Sequence, residues 1–106
     1  FVYLIMEKQL LNILAEFLTS CLGSSVQIGR VRPLGGSSIN QVWYLLTQDG
    51  EFVVKWNANC PVDFFEREME GLSALRQAES GLVIPECLGC RASEGGMPAW
   101  LLMRYL

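Results

Sequence analysis

A run of four small residues, Gly35-Gly36-Ser37-Ser38, is the first part of the chain that could bind an anion. Glycine lets the backbone approach a ligand closely, and successive N–H groups and serine hydroxyls can hold phosphate oxygens. The run matches neither the Walker pattern nor the complete G-x-G-x-x-G pattern, and many hairpin loops have the same composition. Taken alone, it is compatible with a phosphate site and with a plain turn.

A single lysine, Lys55, stands in the apolar segment Phe52-Val53-Val54-Lys55-Trp56. Side chains alternate along a strand, so Lys55 shares one face with Val53 while Phe52, Val54 and Trp56 occupy the other. A lysine in this position either reaches solvent at the sheet margin or points at an anion. Its place after a glycine turn and before a helix favours the anion.

Glu68 is the third residue whose side chain could take part in chemistry. The buried stripe predicted for its helix comprises Phe65, Met69, Leu72 and Leu75. Glu68 borders this stripe, where it is either an ordinary boundary residue or the partner that Lys55 requires. The order glycine turn, strand lysine, helix glutamate is typical of the nucleotide-binding lobe of protein-kinase-like enzymes. There the lysine holds the α- and β-phosphates and the glutamate positions the lysine.

Periodicity and turn residues predict the elements that position these groups. They are a helix over 6–22, strands over 26–34, 40–47 and 51–57, a helix opened by Pro61 and Asp63 and ending near Ala78, and strands over 86–92 and 98–105. The apolar stripe of the first helix comprises Leu10, Leu14, Phe17 and Cys21, widened by Leu11, Leu18 and Leu22. Asp63 and Glu66 are spaced as a capping box. Short turns make neighbouring strands antiparallel, which predicts an α+β fold with its helices on one side of a small sheet.

Composition narrows the classes of function. The 106 residues are 51% hydrophobic and carry a net charge of −3, which suits a packed domain. Because there is no run of Lys or Arg, the charge pattern excludes a typical nucleic-acid binder. No apolar run reaches the length of a membrane span, and the first residues lack the features of a signal peptide. We therefore expect a cytoplasmic protein with no nucleic-acid or membrane partner.

The cysteines Cys21, Cys60, Cys87 and Cys90 do not form a recognisable metal motif. Cys87-Leu88-Gly89-Cys90 has a zinc-like spacing, but there is no second pair and no histidine. A four-ligand site would need Cys21 and Cys60 to converge on this pair. We predict no metal site and expect reduced thiols.

Several segments together resemble the fructosamine (ketosamine) kinase family, a branch of the protein-kinase-like and aminoglycoside phosphotransferase superfamily. Residues 34–43 resemble its GG-S-IN-QV/A-Y segment, 52–57 its FFVK-N strand, 65–75 its FEAEAEGL-AL helix, 83–89 its V-x-P-x-x-x-G connection, and 100–106 its FLVLEYL strand and hinge. The resemblance covers roughly residues 6–106. One departure is Arg104, where many relatives carry an acidic residue; backbone rather than side chain would meet adenine there.

The resemblance implies a protein-kinase-like N-terminal lobe, with a five-stranded antiparallel sheet, an N-terminal helix and a helix of the αC type. It implies ATP-dependent phosphorylation of a sugar hydroxyl on a glycated amine. The catalytic pair would be Lys55 and Glu68, with adenine on the backbone past Met103. The residues it assigns to ATP are Gly35, Gly36, Ser37, Ser38, Asn40, Lys55, Met103, Arg104 and Leu106.

The ends of the chain and the choice of substrate leave other interpretations open. The chain begins at Phe1 and stops at Leu106 directly after an apolar run, so we expect 1–106 to be a fragment, with Met6 one candidate for the true start. The catalytic base and the Mg²⁺ ligands would then lie in an absent C-terminal lobe. Alternatives are an aminoglycoside- or choline-type kinase, a non-catalytic pseudokinase module, and an unrelated α+β interaction domain.

Overall fold

The computed structural model describes residues 2–36, 40–78 and 81–106, and side chains from residue 7 onward. Its elements are α1 (Val2–Leu22), β1 (Ile28–Gly36), β2 (Gln41–Thr47), β3 (Gly50–Asn57), α2 (Phe64–Gln77), β4 (Cys87–Arg91) and β5 (Ala99–Arg104). The predicted element order is confirmed, with α1 beginning four residues earlier than expected. The strands form one antiparallel sheet in the order β1-β2-β3-β5-β4. In the described part of the chain, no helix combines the length and apolarity needed to cross a membrane.

Helix α1 covers one face of the sheet with leucines spaced four residues apart. Leu10, Leu14 and Leu18 are fully buried and pack into a cluster with Trp43, Leu45, Phe52, Val54, Trp56, Trp100 and Leu102. The predicted stripe is right at its centre but wrong at its end, because Cys21 is exposed. Gly23, at φ 78°, ends the helix and donates its N–H to the Thr19 carbonyl at 3.0 Å.

Helix α2 covers the opposite face, so the prediction that both helices lie on one side is wrong. Phe65 is buried against Ala99, Leu101 and Met103, with Met69, Leu72 and Val53 packed around them. The reason lies in β5, whose residues Ala99–Met103 are all buried, so both faces of that strand require a cover. Leu75, predicted to belong to the buried stripe, is exposed because it lies near the end of α2.

The start of α2 also differs from prediction. Asp63 is the N-cap residue, yet its side chain makes no capping hydrogen bond. Its Oδ2 instead accepts a hydrogen bond from Arg67 Nε at 2.6 Å, one turn along the helix. The capping box predicted for Asp63 and Glu66 is therefore wrong, because the carboxylate that would cap the helix is drawn to an exposed i,i+4 ion pair.

Candidate functional site

Lys55 and Glu68 meet on the α2 face of the sheet. Lys55 lies in the middle of β3, where Val42 on β2 and Leu101 on β5 are its neighbours. Its Nζ donates to Glu68 Oε2 at 2.5 Å. The side chains are 35% and 27% exposed, so the pair is partly shielded but still open to a ligand. The arrangement leaves a fixed positive charge beside the sheet, held by a carboxylate from the helix.

A small apolar cavity lies on the same face as the ion pair. It has a volume of about 150 Å³ and is lined by Val53, Pro85, Met103, Arg104, Tyr105 and Leu106. Val53 and Met103 are directly opposite each other on β3 and β5. Since Val53 stands two residues before Lys55, strand alternation puts the cavity and the lysine on one side of the sheet. A flat apolar group in the cavity would extend from the end of β5 toward the lysine.

The chain segment at the end of β5 is held by neighbours on both sides. The Arg104 N–H donates to the Glu86 carbonyl at 3.0 Å, and the Tyr105 N–H donates to the Glu51 carbonyl at 3.1 Å. A ligand hydrogen-bonding to the backbone of Arg104 would therefore have to use its carbonyl oxygen. The resemblance implied that adenine meets the backbone past Met103, and the structure restricts the part that Arg104 could take to its carbonyl.

Aromatic residues flank this segment on the β2 side. The rings of Tyr44 and Tyr105 meet edge to face with centroids 5.2 Å apart, and the Arg32 guanidinium lies 4.8 Å from the centre of the Tyr44 ring. The Tyr44 hydroxyl donates to the Glu51 carboxylate, which raises the pKa of Tyr44. No sequence motif marks these residues, because their association depends on the register of β1, β2 and β3.

Gly35 and Gly36 form the end of β1, where the structure gives a steric reason for glycine. Their φ angles are 129° and 116°, and a Cβ on Gly36 would lie 2.2 Å from the Asn40 carbonyl oxygen. Any side chain at Gly36 would therefore distort the turn even without a ligand. Ser37 and Ser38, the other two residues predicted to bind phosphate here, lie outside the described residues.

Asn40, predicted to contact ATP, is engaged with β3 through its side chain. Its Oδ1 accepts a hydrogen bond from Asn57 Nδ2 at 2.9 Å, and Asn57 Oδ1 accepts from the Asn59 N–H at 2.7 Å. Asn57 is buried at the end of β3. Asn40 therefore ties the base of the glycine turn to the strand that carries Lys55. The sequence motif over 52–57 includes Asn57, the last residue of β3, but no role was predicted for its side chain.

Cys87 and Cys90 lie on the α2 face, where they pack against the cluster around Phe65. A register shift between Cys87 and Gly89 puts both thiols on this side of the edge strand. Burial raises the pKa of both thiols, and of Cys60, so that the protonated form is favoured. Among the residues that the structure describes, no group of three or more His, Cys, Asp and Glu side chains is placed to hold a metal ion.

The sequence model of the fructosamine kinase family matches residues 10–106. The chain belongs to the fructosamine kinase family. No curated protein sequence matches it significantly. The structure resembles the crystal structure of a Haemophilus somnus 129PT protein provisionally named a fructosamine-3-kinase, with a TM-score of 0.73 and 22% identity. That match covers 88% of this chain and 30% of the other, so the chain spans less than a third of that protein.

This fructosamine kinase family member therefore has the α+β fold of a kinase-like N-terminal lobe, and its family is one of phosphotransferases. The family match includes the ion pair, the glycine turn and the residues around the cavity. At 22% identity the solved structure supports the fold alone.

Proposed function

We propose that this chain binds ATP as part of a kinase that phosphorylates a sugar hydroxyl of a fructosamine. The observation that carries the proposal is the Lys55–Glu68 ion pair, 2.5 Å long, on the same face of the sheet as the apolar cavity at the end of β5. The pair supplies a positioned cation for phosphate oxygens, and the cavity offers an apolar slot for a purine base. Family membership supports the type of reaction and the class of substrate.

Each end of the nucleotide would meet a different part of this face. The base would lie against Val53 and Met103, accept a backbone hydrogen bond from the Leu106 N–H and donate one to the Arg104 carbonyl. The Lys55 ammonium would lie against the α- and β-phosphates, held there by Glu68. The glycine turn at Gly35-Gly36 would approach the phosphates from β1, together with Ser37, Ser38 and Asn40.

The charge on Lys55 gives the pair its chemical value. In the reaction a sugar hydroxyl oxygen gives up its proton to a general base and forms a bond to the γ-phosphorus as the bond between that phosphorus and the β–γ bridging oxygen breaks. Negative charge then grows on the departing diphosphate, and a fixed ammonium group beside it stabilises the transition state more than the ground state. We assign no residue of this chain to Mg²⁺ or to the catalytic base.

We expect the protein to act in the cytoplasm.

Activity assays of the full-length protein test the proposal. ATP consumption is measured with a fructosyl-amine, with an aminoglycoside and with choline, each in the presence of Mg²⁺. We expect turnover with the fructosyl-amine alone. Turnover with the aminoglycoside or choline instead would show a kinase of another specificity, and ATP binding without turnover of any substrate would indicate a pseudokinase.

Amide hydrogen exchange tests the placement of the base. Binding of ATP should slow exchange at residues 104–106, which form one wall of the cavity. The matched control region is the Glu94–Met97 turn, which lies at the other end of β5 and should be unaffected. Slower exchange at 94–97 with no change at 104–106 would show that the base binds elsewhere.

A further inference from the structure

Glu86 binds Arg104 through both its main chain and its side chain. The Glu86 carbonyl accepts from the Arg104 N–H at 3.0 Å, and its Oε1 accepts from Arg104 Nε at 2.9 Å. The second carboxylate oxygen, Oε2, lies 3.5 Å from a guanidinium nitrogen of Arg76 in the last turn of α2. One carboxylate therefore connects the end of β5 with the helix that carries Glu68.

The Arg104 side chain lies away from the cavity. Arg104 is opposite Phe52 in the register, and its guanidinium carbon lies 5.6 Å from the centre of the Phe52 ring. Phe52 belongs to the cluster on the α1 face, whereas the cavity lies on the α2 face. Arg104 therefore borders the cavity with its backbone, and its side chain serves as an anchor for that backbone.

We propose that Glu86 is a positioning residue for the base end of the nucleotide site, and this inference rests on the proposed function. By holding Arg104, it fixes the orientation of the Arg104 carbonyl at the cavity. By reaching Arg76, it connects the position of that carbonyl with α2 and so with the Lys55–Glu68 pair. The Arg104 guanidinium beside Glu86 also holds the pKa of that carboxyl below its usual range, so Glu86 is charged near neutral pH.

The three side chains of this ion-pair network are exposed, so their role in positioning the site can be tested without unfolding the domain. Arg76, Glu86 and Arg104 are 48%, 43% and 42% exposed. Exposed ion pairs contribute little to the free energy of unfolding because water and salt screen them. Loss of the Glu86 charge should therefore leave the domain folded and change the geometry of the cavity wall.

The experiment compares Glu86→Gln with Glu70→Gln in the full-length protein. Glu70 is an exposed carboxylate on the same helix as Arg76, which makes it a matched control for loss of one negative charge. In Glu86→Gln we expect the KM for ATP to rise about twofold to fivefold, with kcat and the melting temperature nearly unchanged. Without nucleotide, amide exchange at Arg104 and Tyr105 should be faster than in the wild type. Glu70→Gln should change none of these values.

A double mutant tests whether Glu86 acts through its ion pair with Arg104 or only through its negative charge. If Glu86 acts through Arg104, then Glu86→Gln should add little to the KM change already caused by Arg104→Met. Unchanged exchange at 104–106 in Glu86→Gln, an unchanged KM, or additive losses in the double mutant would overturn the inference. If the wild-type protein does not bind ATP, the proposed function fails together with the inference about Glu86. This outcome is distinguishable from a failure of the Glu86 inference alone, because it is seen in the wild type before any residue is changed.

Discussion

The side chains on the two faces of the sheet are buried to different extents. On the α1 face, Leu10, Leu14 and Leu18 are fully buried against the sheet. On the α2 face, Phe65 is the one buried residue of the helix, an ion pair remains partly exposed, and a cavity stays open at the end of β5. Both faces use the same strands, so the difference comes from what covers them. The closed face favours stability, and the open face leaves room for a ligand.

Strand β3 shows this division residue by residue. Phe52, Val54 and Trp56 belong to the closed cluster, whereas Val53 and Lys55 lie on the open face. Because neighbouring side chains of a strand point to opposite faces, a single segment can support the core and present a cation. Substitutions on the two faces should therefore have separable effects on folding and on activity.

The largest expected effect is on the closed face. Leu14→Ala should lower the free energy of unfolding by about 2–5 kcal/mol, because it removes fully buried methyl groups and leaves a cavity. Leu72→Ala, on the partly covered face, should cost about 1–2 kcal/mol, since less apolar area returns to water. Urea denaturation of both variants measures the difference. Equal losses would show that the two faces contribute alike.

The next effect concerns activity on the open face. Lys55→Met should reduce turnover about a hundredfold or more, because the phosphates lose a positioned charge worth about 3 kcal/mol in the transition state. The free energy of unfolding should change by less than about 1 kcal/mol, since the ion pair is partly exposed. Lys8→Met is the matched control, since Lys8 is the chain's other lysine and lies exposed on α1. A similar loss of turnover in Lys8→Met would show that the effect does not depend on the position of Lys55 beside the phosphates.

Glu68→Gln should have a milder effect in the same direction. It keeps a hydrogen-bonding group near Lys55 but removes the charge, so we expect a loss of turnover of about tenfold. Its combination with Lys55→Met should be far from additive, because the two side chains act as one unit. Steady-state rates of the three variants provide the test. A double mutant whose loss equals the product of the single losses would mean that the residues act separately.

The smallest effect should appear in the pH dependence of stability. The folded-state pKa of Glu86 is lowered below its ordinary 4.5, chiefly by the hydrogen bond from Arg104. A depressed pKa contributes stability above the ordinary value, and that contribution is lost as pH falls through the lowered pKa. The difference in unfolding free energy between wild type and Glu86→Gln should therefore be constant above pH 4.5 and shrink below it. Urea melts across this window test it, and a difference that grows toward acid pH would contradict the assignment.

Much of the fold could be predicted because its signals are local. The order of helices and strands follows from apolar periodicity and from the short turns between strands. Strand alternation and a helical wheel put Lys55 and Glu68 where they could meet, the kinase-like order of the motifs favoured their pairing, and the structure shows the contact. The assignment of ATP-contacting residues remains a prediction, and the structure adds that Gly36 and Asn40 also have steric and hydrogen-bonding roles in the turn.

The sequence by itself determined the elements, the two-sided character of β3 and the position of Glu68 at the margin of its helix, because each depends on residues a few positions apart. Only the tertiary structure decided that the helices cover opposite faces, that Cys21 and Leu75 are exposed, and that Glu86 meets Arg104. The helices cover opposite faces because both faces of β5 are buried. The meeting of Glu86 with Arg104 depends on β5 lying between β3 and β4, which brings together residues far apart in the chain. No local pattern encodes such a neighbour, because strand order is set by the packing of the whole sheet.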